Sequence, residues 1–280
     1  MADETVIKKT VPNMTEISNL SGDYNIIIHD GNGLKKTPLK NISIADGSGP
    51  HNAWCNCDML LGTSTPTDAQ YEEISSGRFR GLPVGGYWSI NGYTFRIAAF
   101  NPFLHCGDTK LTQNHVAIVV DGAMYTYHMN ETSTAAGGYV GSDMRKNGLA
   151  NAKAIIKQAF GSNHVLTYRA FLTNAISSGK AIGRAWFDAD VELMNEQLCY
   201  GGSIFLPTSD GSTIPVNQRI EKSQFPLFTY RPDMIHAQTG WYWLKDIISS
   251  EGFTVVDSDG RADYNPAYGV GGVRPFFLIG

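Results

Sequence analysis

Short runs of alternating or uniformly apolar residues, separated by glycine, asparagine and aspartate, dominate this chain, so its pattern predicts strands more often than helices. Residues 23–30 carry isoleucine at 26, 27 and 28, a short strand that is apolar on both faces. The turn signal Gly31-Asn32-Gly33 and a second extended stretch at 35–42 follow. The breaker cluster at 45–50 reads as a hinge. Thr67 or Asp68 is placed to cap a weak helix at 69–74. The β-rich runs Tyr87–Ile90 and Tyr93–Phe100 flank Asn91-Gly92, whose two positions suit the positive φ angles of a type I′ hairpin turn. Residues 114–120 give a further strand, ended by Asp121-Gly122. Ser142 is a candidate N-cap for a short helix within 139–149. Ala152, Ile155, Ile156 and Ala159 form one apolar stripe of a helix at 151–160, closed by Gly161. Residues 165–172 read as a strand, and Asp188 or Asp190 as the cap of a short helix at 191–195. Trp241, Tyr242 and Trp243 alternate between the faces of a strand, with at least one in the core, and 253–260 reads as strand and turn. Strands and short helices interleave without βαβ periodicity, which predicts an α+β fold with an antiparallel sheet rather than a doubly wound one.

Composition narrows the function classes. The 280 residues can bury a substantial core, with one large domain and a small appendage. A formal charge of −4 gives no electrostatic footprint for nucleic acid. Charged residues make up only 17% of the chain while glycine and aromatics are plentiful, which fits a loop-rich β or α+β domain better than a helical bundle. No run of about 18 apolar residues suggests a membrane span. The polar start lacks the apolar stretch of a signal peptide, so synthesis and folding in a cytoplasm are expected unless another route exports the chain. The first 45 residues are too few to hold a core alone and need partners, either copies of themselves or another protein.

Candidate chemistry is sparse. Cys55, Cys57, Cys106 and Cys199 are too few for a disulfide scaffold and read first as unbridged thiols. A metal site drawing on His51, Cys55, Cys57, His105 and Cys106 is the alternative, although Cys-x-Cys is tighter than the usual zinc spacing. Free, bridged and metal-bound states of Cys55, Cys57 and Cys106 stay open at this point, and neither a metal nor a cofactor is expected. The scattered histidines show no metalloprotease spacing, and no Gly-x-Ser-x-Gly elbow occurs. Glu192 and Glu196, four apart on the predicted helix, are the one carboxylate pair that could run glycoside hydrolysis, against the plainer reading of a polar network. Asp257, Asp259 and Asp263 resemble a calcium loop but lack its terminal glutamate, and an Asp-Gly hairpin turn explains them more cheaply. Tyrosine and asparagine on glycine-bounded loops are what recognition surfaces favour. A ligand-facing patch is therefore placed at Asp257, Asp259, Arg261, Asp263, Tyr264, Asn265 and Tyr268.

Several segments carry a resemblance. Gly86-Tyr87-Trp88 through Arg96-Ile97, Met129-Asn130 with Gly137-Gly138-Tyr139 and Gly141 to Arg145, and Val191 to Glu196 are three of them. Trp241-Tyr242-Trp243-Leu244-Lys245 and the closing Gly272-Val273-Arg274-Pro275 are two more. In that order they resemble the C-type-lectin-like, formylglycine-generating-enzyme-like modules of bacterial surface proteins and phage virion proteins. The stretch 17–42 is similar to N-terminal segments of tailed-phage fibre and head-fibre proteins. The resemblance implies an N-terminal virion-attachment and oligomerisation arm at 1–45, a connecting segment at 46–84 and a lectin-like domain at 85–280. It implies a structural role for many motif residues, with Arg145 or Arg274 anchoring carbonyls or a carboxylate. The oxidase branch of the fold needs paired C-terminal cysteines for copper, and only Cys199 lies in the second half; lectin-type calcium motifs are absent too. The expectation is a non-enzymatic virion protein of fibre or receptor-binding type, a homotrimer joined through its arm, that meets other virion proteins and a host-surface glycan or protein. A capsid-decoration protein without a receptor is the alternative, and a glycan-degrading enzyme a more distant one.

Overall fold

The computed structural model describes residues 25–29, 34–38, 55–203, 224–237 and 239–280. The chain divides into two units, Met1–Ser43 and Ile44–Gly280. In the first, β1 (Asn25–His29) pairs antiparallel with β2 (Leu34–Pro38), with Ile27 opposite Lys36. The remaining expectations for the arm, including the turn at 31–33 and the hinge at 45–50, lie outside the described residues.

In the second unit the hairpin signal at Asn91-Gly92 is realised. Both residues hold positive φ, 52° and 82°, and join β4 (Tyr87–Ile90) to β5 (Tyr93–Phe100) in register from Tyr87↔Arg96 to Ile90↔Tyr93. β5 then pairs with β6 (Val116–Val120), which is buried along its length. The final strand, β15 (Pro275–Ile279), inserts between β6 and the short β10 (Val191–Leu193), and β3 (Leu60–Gly62) adds in parallel beside β4. The resulting six-stranded order is β10-β15-β6-β5-β4-β3. α1 (Asp68–Ser75) is opened by a capping box between Thr67 and Gln70, and α3 (Ala150–Phe160) buries Ala152, Ile156, Ala159 and Phe160. Phe160 meets Phe95 and Phe277 with ring centroids 5.1 Å apart in edge-on geometry, so each pair adds about 1 kcal/mol to its area burial.

The five-stranded sheet runs β13-β12-β11-β14-β7, from β13 (Ala262–Pro266) through β12 (Gly252–Val256), β11 (Tyr242–Ile247) and β14 (Val270–Val273) to β7 (Tyr125–His128). Its β11–β14 pair is parallel and the rest antiparallel. A separate ribbon pairs β8 (Tyr168–Ser177) with β9 (Lys180–Ala189). With α2 (Gly138–Gly141), α4 (Glu196–Tyr200) and α5 (Pro226–Tyr230), the second unit is an α+β structure in which sheets dominate. Arg274 locks its centre. The guanidinium is buried and donates to the carbonyls of Val120 at 2.7 Å, Ile235 at 2.6 Å and Met234 at 2.9 Å, with the rings of Tyr242 and Phe228 against it.

Two sequence expectations change here. Residues 191–195 are not a helix. Val191 and Leu193 pair with Phe277 and Pro275 in β10, and a run of five residues is too short for its apolar period to separate a buried strand from a helix. The helix starts later, at Glu196, with the Asn195 side chain accepting from Leu198 N–H at 2.8 Å. The stretch read as a connecting segment up to residue 84 belongs, from Cys55 onward, to this unit: β3 extends the sheet, and Tyr71, Ile74, Phe79, Leu82 and Val84 sit in the core.

Candidate functional site

The carboxylate pair singled out for catalysis is split between two elements. Glu192, on β10, is wholly buried. It accepts from Tyr139 Oη at 2.7 Å and from Arg145 Nε at 3.0 Å and Nη2 at 2.9 Å. Burial first, then the adjacent Glu192 charge, raises the Tyr139 phenol well above its ordinary range. Glu196 opens α4, also buried, and its N–H donates to Asp246 Oδ2 at 2.7 Å. Neither carboxylate faces a cleft across from the other, as glycoside hydrolysis requires.

Asp246 is half-buried, with its carboxylate turned to the buried Glu196. Burial, with the Glu196 charge adding to it, lifts the Asp246 pKa to about 6, against the opposing pull of the Glu196 N–H, Lys245 and Arg184. A folded-state pKa above the unfolded value of 3.8 means that the folded protein binds the proton more tightly. This contribution is present at pH below about 4, shrinks as pH rises through about 6, and leaves a cost of up to about 3 kcal/mol at neutrality. Asp246→Asn keeps an oxygen for the Glu196 N–H. It is expected to be at least as stable as the parent at pH 7, with a flatter stability–pH curve between pH 4 and 6.5 when urea midpoints are compared.

The seven patch residues do not converge. Asp257, Asp259 and Arg261 form a self-contained turn at one end of the β12–β13 hairpin. Asp257 Oδ1 accepts from the N–H groups of Asp259 and Arg261 at 2.8 Å, while Arg261 reaches Asp257 Oδ2 at 2.8 Å and Asp259 at 2.7 Å. These bonds outweigh burial and hold the Asp257 pKa below its ordinary value. The acids thus satisfy the turn backbone instead of opening toward a cation. Asp263, Tyr264 and Asn265 lie along β13, the sheet edge, with Tyr264 exposed and Asn265 paired with Phe253. Tyr268 sits past the far end of β13, whose five residues span about 17 Å.

The Tyr268 end is where polar groups gather. The turn carrying it crosses from β13 to β14. Its Ala267 carbonyl accepts from both Met129 and Asn130 N–H at 2.9 Å, and Val270 pairs with His128 across β14 and β7. Tyr268 and Val270 are 57% and 62% exposed, values that place large apolar groups in water. The segment from Asn130 onward, which the Ala267 carbonyl holds, borders a depression of about 410 Å³. Asn130, Glu131, Thr132, Thr134, Asp143 and Lys146 line it. Asp143 is its fixed point: it accepts from Asn147 at 2.6 Å and Tyr127 Oη at 2.8 Å, lies 2.9 Å from His128 Nε2, and donates its N–H to Asn130 Oδ1 at 2.9 Å. The Asn147 hydrogen bond, foremost, lowers the Asp143 pKa. A π-helical turn at Met144–Gly148 follows directly, and such turns are frequent at functional sites. Ser142, expected as an N-cap, instead closes α2 and lies one residue before the N-cap Asp143 of this turn, with its Oγ accepting from Arg145 N–H at 3.2 Å. Glu131, Thr132 and Lys146 remain exposed, so the depression presents hydrogen-bonding groups and side chains of both signs.

None of the seven predicted patch residues lines this depression; the turn carrying Tyr268 is tied to its rim only through the Ala267 carbonyl, which accepts from Asn130 N–H. Asn130, Gly141 and Asp143 belong to motif stretches read as structural, and the pairing of Val270 with His128 that assembles the site has no local sequence signal. Among the described residues no group of three or more His, Cys, Asp or Glu is placed to hold a metal ion, and none of the four cysteines is in a disulfide. Comparison with protein-family models, with curated proteins and with solved structures returns no match.

Proposed function

We propose that this chain is a virion protein of fibre or receptor-binding type. Its Ile44–Gly280 unit is a C-type-lectin-like domain that binds a host-surface glycan at the Tyr268 end of the five-stranded sheet, and its N-terminal arm attaches to other virion proteins and joins three copies. The observation that carries the binding reading is the contrast between inward and outward chemistry. Glu192 is consumed by Arg145 and Tyr139 and Glu196 lies buried beside Asp246, while Tyr268 and Val270 stand exposed on the turn between β13 and β14 and the depression at Asn130 and Lys146 is lined by polar groups. Tyrosine faces beside hydrogen-bonding groups are the usual partners of sugar rings and other polar ligands. The lectin-like and virion assignments rest on the sequence resemblance at both ends of the chain. Antiparallel sheets with short helices and a buried C-terminal strand are compatible with it.

The test is binding of the purified full chain to intact bacteria and to their isolated wall polysaccharides. Retention on polysaccharide without release of sugar fragments is expected. Release of fragments, abolished by Glu192→Gln, would establish the glycan-degrading alternative instead, and presence on purified particles without affinity for any wall fraction would favour capsid decoration.

A further inference from the structure

We propose that Cys55 and Cys57 form a redox-active dithiol, which low-molecular-weight disulfides of the glutathione class oxidise to an intramolecular Cys55–Cys57 disulfide. The two sulfur atoms lie 3.6 Å apart, and both residues are half-buried. The other two cysteines are placed differently. Cys199 is fully buried against Met194 and Tyr242, and the Cys106 thiol donates to the Leu104 carbonyl at 3.7 Å.

The backbone around the pair is held while the side chains keep room to rotate. Cys55 bridges Val84, and Asn56 N–H donates to the Val84 carbonyl at 2.8 Å. Arg96 Nη1 donates to the carbonyls of Cys57 at 2.8 Å and Gly85 at 2.5 Å. Gly85 leaves space for the sulfur, since a Cβ at that position would lie 2.5 Å from Cys57 Sγ. Drawing the sulfurs together to about 2.0 Å needs a movement of roughly 1.6 Å, within the reach of side-chain rotation.

The surroundings also set the order of events. Arg96 and Arg231 place positive charge near the pair, which partly offsets burial at Cys55. Burial first, then the hydrogen bond and charge of Cys57, push the Cys55 thiol up to about 12, so Cys55 is the resolving thiol. The Cys57 thiolate attacks one sulfur of the small disulfide, whose S–S bond breaks. One glutathione thiolate leaves and takes up a proton. Cys57 is now neutral in a mixed disulfide and no longer raises Cys55, which loses its proton to solvent and attacks the Cys57 sulfur. The second glutathione thiolate leaves and is protonated. Two protein thiols are oxidised and one small disulfide is reduced to two thiols.

The experiment incubates the full chain with excess oxidised glutathione at mildly alkaline pH, quenches with acid, unfolds, alkylates, and weighs the peptide spanning 55–57. The expected peptide is two hydrogens lighter and unalkylated, and regains both alkylation sites after dithiothreitol, while Cys199 is alkylated throughout. Cys55→Ser is expected to stop at a glutathione adduct on Cys57, and Cys57→Ser to form little adduct at Cys55. Two alkyl groups on the wild-type peptide after oxidation, glutathione on both sulfurs, or disulfide-linked dimers would each overturn the proposal.

Discussion

Arg274→Met is expected to lower the stability of the Ile44–Gly280 unit by about 4 kcal/mol, which for a unit of this size is about 8–16 °C in Tm. The substitution keeps an apolar stem but withdraws donors from the carbonyls of Val120, Ile235 and Met234. A buried acceptor left without a donor costs about 1–3 kcal/mol; the carbonyls of Val120 and Met234 lose their Arg274 donor, while Ile235 keeps Tyr242 Oη at 2.7 Å. The faces of Tyr242 and Phe228 lose their cation as well. Arg274→Lys is not a conservative rescue, because one ammonium cannot reproduce a planar fork serving three carbonyls; it is expected to recover less than half of the loss. Calorimetry on both variants checks the ranking. A shift of less than 2 °C for Arg274→Met would show that water or a rearranged loop takes over the carbonyls.

The second large effect is expected at the Glu192–Arg145 pair. Arg145→Met leaves Glu192 as a buried anion with Tyr139 as its remaining hydrogen-bond donor, at a cost of about 3–5 kcal/mol near neutral pH. Adding Glu192→Gln to Arg145→Met removes the uncompensated charge and is expected to restore part of the loss at pH 7. Denaturant midpoints for the single and double variants at pH 7 give the coupling directly. Additive losses would mean that the Glu192 charge is not compensated by Arg145 in the native state.

What was legible in the sequence was local. Asn91-Gly92 dictated its turn because both residues tolerate positive φ, Thr67 or Asp68 announced a helix start and Thr67 is the cap, and the stripe Ala152, Ile155, Ile156 and Ala159 marked the inner face of α3, with Ile155 only partly buried. An anchoring role for Arg145 or Arg274 was implied by the resemblance, and the structure supplies a carboxylate for one and carbonyls for the other. Long-range pairing was not legible. Residues 191–195 have the apolar character of a helix or a buried strand, and only the partner strand β15, some eighty residues later, decides between them. The ribbon partner β9 has a half-exposed outer face with Arg184 and Trp186 among small residues, which blurs a two-residue alternation. Grouping Asp257 through Tyr268 into one patch assumed that nearness in sequence is nearness in space, and a strand along β13 separates the two ends by its own length.

The central claim is that ligand recognition resides at the Tyr268 end of the five-stranded sheet and not at the Asp257–Arg261 turn. The most direct measurement compares the affinity of the full chain for bacterial wall polysaccharide with that of Tyr268→Ala and of Arg261→Ala. Tyr268 is 57% exposed and Arg261 is exposed on its own turn, so each variant is expected to stay within about 1 kcal/mol of the parent in stability. Tyr268→Ala is predicted to weaken binding at least tenfold and Arg261→Ala to leave it within twofold. Equal affinity for Tyr268→Ala and the parent, or a loss confined to Arg261→Ala, would contradict the account.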